Sequence, residues 1–168
     1  MREDYIFPEI FIENTGIKSD KYILIEREEG NIRIVRECSK PAEEVSCFAK
    51  IPYDNALEAI LDIYGNRIKK SFILKTKNND LLLVKSSSYP KIIEVRGWMV
   101  RILVTEGEKV RKWQRIAYVL TRKYETRTIK SPWSGIVTYI GYVFGEKPEH
   151  YIIVMVDKDD VRYLGKIQ

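Results

Sequence analysis

Residues 97–113 read GWMVRILVTEGEKVRKW, and residues 135–151 read GIVTYIGYVFGEKPEHY. When the chain is shifted by 38 residues against itself, the first stretch superposes on the second and Gly97 falls on Gly135. In both stretches a Gly-Glu-Lys sequence begins ten residues after the first glycine, and an apolar strand-like segment follows it. Glycine at both turns predicts a positive φ, which glycine adopts without steric cost. We predict that the two stretches are one β-unit used twice.

The repeat also indicates a fold class. Short strands repeated in this way have edges whose unpaired backbone groups must be covered or paired. This favours a closed or sandwich-like β-structure whose two copies are related by a pseudo-twofold axis. The alternative is chance similarity between two β-hairpins, and the equal glycine spacing favours duplication. Trp98 and Trp133 lie beside the repeat glycines, and we predict that they fill the core or its lid.

The composition is typical of a soluble globular protein. The chain has 168 residues, of which 45% are hydrophobic and 32% charged, and a formal net charge of +5. This fits one domain or two small ones. No apolar run approaches the roughly 18–20 residues that a membrane helix needs, and the sequence MREDYIFPEI at the amino end carries acids where a signal peptide has cations. We therefore expect a cytoplasmic protein without a membrane span.

Residues suited to catalysis or metal binding are few. The sequence contains two cysteines, Cys38 and Cys47, and one histidine, His150. Their number and spacing exclude zinc sites and disulfide scaffolds. We expect free thiols, although the pairing of the two cysteines stays open, and we interpret His150 as an exposed loop residue rather than a triad member. Glycine motifs that bind phosphate are missing too. We expect a protein that is not an enzyme, with the role of a non-catalytic subunit left open.

Charge divides the chain into two parts. Residues 1–90 contain 14 Lys and Arg against 15 Asp and Glu, whereas residues 91–168 contain 15 against 9, a net charge of +6. The sequence SSSYP at residues 86–90 comes just before this change and has the composition of a connector. We predict two domains, 1–88 and 89–168.

The first domain is predicted to be a small α+β unit, in a chain that is mainly β. Residues 22–25 and 32–35 flank Glu-Glu-Gly-Asn and predict one β-hairpin, and residues 72–75 and 81–85 flank Lys-Asn-Asn-Asp and predict another. The acidic pairs at 28–29 and 43–44 are interpreted as solvated faces or turns, because adjacent side chains do not converge on one point.

One helix is predicted, over about residues 54–64. Asp54 provides an N-cap, and Leu57, Ile60, Leu61 and Tyr64 follow the i, i+3, i+4, i+7 spacing of an apolar helix face.

A known family resembles the second half of the chain. The matching residues are Val104–Val110 (VTEGEKV), Trp113-Gln114, Ile116-Ala117, Lys123, Ser131-Pro132 and Gly135–Val137. Over about residues 90–157 they resemble the biotinyl/lipoyl attachment domain, or single hybrid motif, with its pattern V-x-x-G-D-x-V, G-Q, modified lysine and S/A-P-x-x-G-x-V. The resemblance implies a barrel-sandwich of two four-stranded sheets with an internal twofold. The whole chain is also similar to an archaeal family of uncharacterised proteins that carry such a barrel after a short α+β segment.

The resemblance implies one candidate site, Lys123. In the family the modified lysine lies at a hairpin tip, sixteen residues after the glycine that corresponds to Gly107, and Lys123 has this position. The flanking residues differ, since biotin carriers have methionine on both sides and lipoyl carriers have aspartate before the lysine, whereas this chain has Arg122 and Tyr124. One extra residue before Ser131 predicts a longer or bulged turn.

Three interpretations of this hairpin remain. We favour a non-catalytic binding or assembly module without cofactor, whose partner is another protein or a second copy of the chain. The first alternative is a carrier with biotin or lipoate on Lys123. The second is binding of nucleic acid or an acidic partner through the basic segment 109–130. Its candidate contacts are Lys109, Arg111, Lys112, Arg115, Arg122, Lys123, Arg127 and Lys130.

Overall fold

The computed structural model describes residues 7–13, 16–26, 30–38, 45–62, 64–145 and 147–167. It divides into two compact units, one of Met1–Ser87 with Tyr163–Gln168 and one of Ser88–Arg162. The segment Tyr163–Gln168, which the sequence division places in the second domain, therefore belongs to the first unit. The acidic pairs at 28–29 and 43–44 lie outside the described residues.

The fold is mainly β with one short helix, as the sequence predicts, and its sheets curl into half-barrels. In chain order the described elements are β1 Glu9–Glu13, β2 Tyr22–Glu26, β3 Ile32–Val35, β4 Val45–Ile51, α1 Ala56–Ile60, β5 Leu61–Asp62, β6 Arg67–Ile68, β7 Phe72–Lys75, β8 Asp80–Val84, β9 Lys91–Gly97, β10 Met99–Ile102, β11 Lys109–Val110, β12 Arg115–Leu120, β13 Thr126–Lys130, β14 Gly135–Val143, β15 Glu149–Val156 and β16 Val161–Lys166. Two 3-10 turns, Tyr53–Asn55 and Lys158–Asp160, precede α1 and β16.

The first unit is organised by one large sheet with the strand order β16-β8-β7-β1-β4-β2-β3. Strand β1 lies at its centre, and Ile10, Phe11 and Ile12 are all buried there, which means that both faces of the sheet are covered at this point. On one face Phe11 packs in a cluster with Ile73 from the neighbouring strand β7 and with Ile23 from β2, the next strand beyond β4.

Both predicted hairpins of the first unit are confirmed. Strands β2 and β3 pair antiparallel, with Ile23 opposite Ile34, and β7 and β8 pair with Leu74 opposite Leu82. The second turn uses Asn79 at a φ of 65°, a conformation that asparagine tolerates better than most residues.

The helix prediction over residues 54–64 is wrong in extent. Asp54 belongs to the 3-10 turn and caps nothing through its side chain, and α1 ends at Ile60. Leu61 is extended instead, because it pairs with Ile68 in a short β-hairpin that buries both side chains. Tyr64 is exposed. The apolar spacing typical of a helix thus arises here from one helical turn followed by a strand.

The two cysteines correct a second expectation. Cys38 and Cys47 form a disulfide with their Cα atoms 6.6 Å apart, so the expectation of free thiols is wrong and the pairing that the sequence left open is present. Strand β2 lies between β3 and β4 in the sheet, and the disulfide joins Cys38, three residues after β3, to Cys47 on β4. Both pack in a cluster with Tyr22.

The second unit contains two sheets around one core. The described residues form a four-stranded sheet in the order β11-β14-β15-β9 and a three-stranded sheet in the order β10-β12-β13, where the resemblance implied four strands in each. Val95, Ile116, Val137 and Ile153 belong to the shared core cluster. Trp98 and Trp133 lie outside that cluster, and Trp133 is 39% exposed.

The repeat glycines have different roles. Gly107 has a φ of 89°, as predicted, whereas Gly145 has no positive φ, so the prediction for the second turn is wrong, and Glu146 lies outside the described residues. Gly97 and Gly135 instead allow close approach. A Cβ on Gly97 would overlap the Val119 side chain, and one on Gly135 would lie 2.7 Å from the carbonyl oxygen of the paired strand β15.

Candidate functional site

Lys123 lies at the centre of the turn that joins β12 to β13. The Thr121 amide donates to the Glu125 carbonyl at 2.9 Å, and the Tyr124 amide donates to the Thr121 carbonyl at 3.0 Å. Tyr124 has a φ of 61°. This pattern is that of a three-residue hairpin loop in which a turn is followed by one residue of positive φ. The extra residue in the sequence is therefore accommodated in a bulged turn, and the Lys123 side chain is exposed.

Trp98 organises the surface beside this turn. Its amide donates to the Leu120 carbonyl at 2.8 Å, which attaches it to the last residue of β12. The guanidinium carbon of Arg122 lies 5.5 Å from the Trp98 ring centre, and the Lys147 ammonium lies 5.9 Å from it. Both distances are within the range of cation–π attraction. The half-buried indole is thus a platform for two cations, rather than part of the core as the sequence suggested.

Glu149 fixes the position of Lys147. The Lys147 ammonium donates to the Glu149 carboxylate and to the Trp98 carbonyl, both at 2.9 Å, and the Val100 amide donates to the same carboxylate at 2.8 Å. The hydrogen bonds from Lys147 and from the Val100 amide hold the pKa of Glu149 below its ordinary value. We call Trp98, Arg122, Lys147 and Glu149 the tip cluster.

The structure separates the predicted basic residues into two groups. Arg122, Lys123 and Arg127 lie near the hairpin tip, and Arg127 is 3.9 Å from the Glu125 carboxylate. At the other end of the hairpin Arg115 and Lys130 lie opposite each other. At about 3.3 Å per residue, Arg115 lies roughly 17 Å from the tip end of β12, and Arg127 lies roughly 10 Å from Lys130 along β13.

Other predicted cations lie on or beside the four-stranded sheet of the second unit. Lys109 is on β11, and Arg111 and Lys112 follow it in a turn where Lys112 lies 5.3 Å from the Trp113 ring centre. Three cations, Lys109, Arg111 and Lys158, line an open cavity of about 280 Å³ together with two acids, Asp157 and Asp159. Since acids share this cavity, its positive charge is partly compensated, and the basic segment does not form one continuous cationic surface.

Trp113 occupies a position where the resembling family has glycine. Its φ is 71°, its side chain is 64% exposed, and its amide donates to the Ser131 carbonyl at 2.6 Å. A bulky residue in this conformation is uncommon.

His150 is not the exposed loop residue that its sequence context indicates. It lies on β15, and its side chain is 17% exposed. Its Nε2 atom is buried, has no hydrogen-bond partner among the described residues and lies 3.7 Å from the Glu94 carboxylate. Among the described residues no group of three or more His, Cys, Asp or Glu side chains is placed to hold a metal ion. In the described part of the chain, no helix has the length and apolarity to cross a membrane.

The comparison with known families gives one match. A family described as an uncharacterized protein conserved in archaea (DUF2118) matches residues 5–158. The chain belongs to this archaeal family. The match extends over both structural units and confirms the similarity to an archaeal family of uncharacterised proteins. No curated protein matches the chain.

Sequence reasoning missed part of the tip surface of this family member. The prediction included Arg122 but not its contact with Trp98, and it did not include Lys147 or Glu149. These residues come from distant parts of the sequence, and no local signal indicates that they meet. Sequence reasoning also did not list Arg101 among the exposed cations of this domain. It lies opposite Tyr118 on the three-stranded sheet, with an exposed side chain. Side chains alternate between exposed and half-buried along β10, and this alternation is the signal that would have indicated Arg101.

Proposed function

We propose that Ser88–Arg162 form a barrel-sandwich domain of the biotinyl/lipoyl type that acts as a non-catalytic binding or assembly module. The strand orders support a duplicated barrel. The three-stranded sheet combines β10 and β12 from the first sequence copy with β13, which leads into the second. The other sheet combines β14 and β15 from the second copy with β11 from the first and with β9, which leads into the first. A barrel whose halves are related by a pseudo-twofold axis would interleave its strands in this way.

The observation that carries the binding role is the pairing of Arg122 and Lys147 with the Trp98 ring at the hairpin tip. Lys123 adds a third cation on the adjacent turn. Arginine and aromatic side chains are enriched at the centres of protein interfaces, and cations of this number suit a partner with Asp and Glu side chains. We therefore propose that the tip cluster and Lys123 bind an acidic segment of another protein.

A specific observation favours a covalent carrier as the second candidate function. Lys123 is exposed at the centre of its loop and makes no hydrogen bond or ion pair with the described residues. Such a lysine is accessible to a ligase that attaches biotin or lipoate. We rank this second, because the flanking Arg122 and Tyr124 differ from the residues of known carriers.

Nucleic-acid binding through the basic segment 109–130 is a weaker candidate. It would require the segment's cations to follow one phosphate backbone, whereas they are divided between the two ends of the β12–β13 hairpin and a cavity shared with acids.

An NMR titration tests the binding role. A glutamate-rich peptide is added to ¹⁵N-labelled protein, and the indole N–H signal of Trp98 is followed. We expect a saturable shift that Arg122→Ala and Lys147→Ala each weaken and that the control Lys158→Ala, in an exposed 3-10 turn, does not. If all three variants bind equally, the proposed surface is wrong. If single-stranded DNA binds more tightly than the peptide at the same ionic strength, the acidic protein partner is wrong.

A further inference from the structure

Glu9 is surrounded by lysines from three neighbouring segments of the first unit. Its side chain is 19% exposed. The Lys21 ammonium lies 3.2 Å from its carboxylate, the Lys50 ammonium 3.4 Å and the Lys75 ammonium 3.6 Å. We call these four residues the lysine cluster.

The sheet makes this arrangement specific. Strand β1 lies between β7 and β4, and Glu9 is directly opposite Lys75 on β7. Lys50 is on β4, opposite Phe11, and its amide donates to the Lys21 carbonyl at 3.0 Å. Three paired segments therefore hold the lysine backbones at fixed positions around the carboxylate.

The charges of the lysine cluster do not balance. Burial raises the pKa of Glu9, but the charges of Lys75, Lys21 and Lys50 and the hydrogen bond from Lys21 outweigh this and hold that pKa below its ordinary value. Glu9 is therefore ionised at neutral pH, and among the described residues it is the one carboxylate within 4 Å of these ammonium groups. Three positive charges against one negative charge leave an excess of two.

The donors of the lysine cluster are not fully used either. Lys21 donates to both oxygens of Glu9, at 3.3 and 3.2 Å, whereas the ammonium groups of Lys50 and Lys75 approach the same carboxylate as ion pairs at 3.4 and 3.6 Å without a hydrogen bond to the described residues. Lys75 has only 14% of its side chain exposed. The Glu9 carboxylate alone faces these two ammonium groups among the described residues, and an anion with further oxygen acceptors would add charge-assisted hydrogen bonds.

We infer that the lysine cluster is a binding site for a doubly charged oxyanion, namely phosphate or the phosphate group of a small monoester. Lys50 and Lys75 donate to the phosphate oxygens, and Lys21 is oriented by Glu9. A phosphate monoester carries about 1.5 to 2 negative charges at neutral pH, which is close to the excess charge of the cluster. The site lies in the first unit and is separate from the tip cluster, so it does not depend on the proposed function of the barrel.

The test is a titration of the full chain with inorganic phosphate, followed through the backbone amide signals of Glu9, Lys50 and Lys75 in ¹⁵N spectra. Sodium chloride at equal ionic strength is the reference. We expect saturable shifts with phosphate only, and an affinity that falls roughly tenfold or more in Lys75→Met and in Lys50→Met, since each variant removes a charge-assisted donor. Glu9→Gln removes the competing carboxylate, and we expect it to bind phosphate more tightly.

The matched control is Lys77→Met, which removes a lysine from an exposed turn. Equal phosphate affinity in Lys77→Met, Lys50→Met and Lys75→Met would overturn the site, as would shifts that chloride reproduces. If Lys75→Met does not fold, Lys50→Met decides alone, because its side chain is 33% exposed. Glycerol 2-phosphate separates the two sources. Tighter binding than inorganic phosphate indicates a phosphorylated small molecule, and equal or weaker binding indicates free phosphate.

Discussion

The guanidinium carbon of Arg122 lies 5.5 Å from the ring centre of Trp98. Arg122, which precedes Lys123, is therefore held against the residue that comes just before β10, a strand of the same sheet as β12. The Trp98 amide in turn donates to Leu120, at the end of β12. The hairpin tip is therefore supported from its side, and Lys123 extends from a supported turn.

Replacing Trp98 should weaken binding while the fold is kept. In Trp98→Leu the ring that holds Arg122 and Lys147 is lost, and a cation–π contact at an exposed site contributes about 0.5–1 kcal/mol. We expect the affinity for an acidic peptide to fall several-fold and the thermal midpoint to change little, measured by titration and circular dichroism. Trp133→Leu, at an exposed tryptophan of the same unit, is the control. Equal loss in both variants would contradict the assignment.

Lys123→Ala distinguishes the module from the carrier. An exposed turn residue contributes little to stability, so the free energy of unfolding should change by no more than about 0.5 kcal/mol. For an unmodified module we expect peptide binding to fall modestly, whereas for a carrier all function would be lost. A cellular assay of a strain that carries Lys123→Ala, compared with Lys123→Arg, makes this measurement. Arginine keeps the charge but accepts neither biotin nor lipoate, so loss of function in both variants favours the carrier.

The repeat glycines predict a matched pair of stability effects. In Gly135→Ala the new Cβ would lie 2.7 Å from the Val156 carbonyl oxygen, and overpacking against backbone costs about 1–3 kcal/mol. Gly145→Ala introduces a methyl group with nothing within 4 Å and no positive φ, so we expect little change. Urea unfolding of both variants measures the difference. Equal stability would show that the sheets do not approach as closely at Gly135 as described.

Protonation of Glu9 should lower the free energy of unfolding at acid pH. Its pKa in the folded protein lies below the ordinary value of 4.5, because the three lysines outweigh the effect of burial. A carboxyl of this kind contributes stability that is fully present above its unfolded-state pKa and is lost as the pH falls through its folded-state value. We expect the free energy of unfolding to fall more steeply below about pH 4.5 in the wild type than in Glu9→Gln. Parallel curves from urea unfolding at pH 7 to 3 would contradict this.

The disulfide should stabilise the first unit. Cys38 and Cys47 are nine residues apart, and closing a loop of that length stabilises a protein by about 2.5 kcal/mol in the chain-entropy description. We expect reduction, or the double substitution Cys38→Ser with Cys47→Ser, to lower the free energy of unfolding by about this amount. Urea unfolding with and without reductant tests it, and the double variant is the control because reductant should not affect it.

Local patterns predicted the hairpins of the first unit, because two-residue alternation and turn residues act over short distances. Strands β2, β3, β7 and β8 lie where the sequence places them. The predicted extent of the helix was wrong because Leu61 pairs with Ile68. This strand pairing is a tertiary effect that overrides the helical pattern of the apolar residues. The expectation of free thiols failed for a similar reason, since the contact of Cys38 with Cys47 depends on the folded arrangement of segments that are not paired in the sheet.

The candidate site could be predicted only in part. Lys123 was proposed because its position, sixteen residues after Gly107, matches the modified lysine of the resembling family. The contacts of Trp98 with Arg122 and Lys147 depend on the arrangement of three separate segments, and the same is true of the lysines around Glu9. Charge alone indicated a basic segment at 109–130, but the sheet register divides it between two ends of a hairpin.

The intact mass of the protein purified from its native host, with peptide mapping across Lys123, tests the central claim most directly. The claim is that the hairpin tip works as an unmodified binding surface. It predicts the mass of the unmodified chain with the disulfide formed, and an unmodified Lys123 peptide even after growth with biotin and lipoate supplied. A mass increment of biotin or lipoate on the Lys123 peptide would contradict it and would establish the covalent carrier instead.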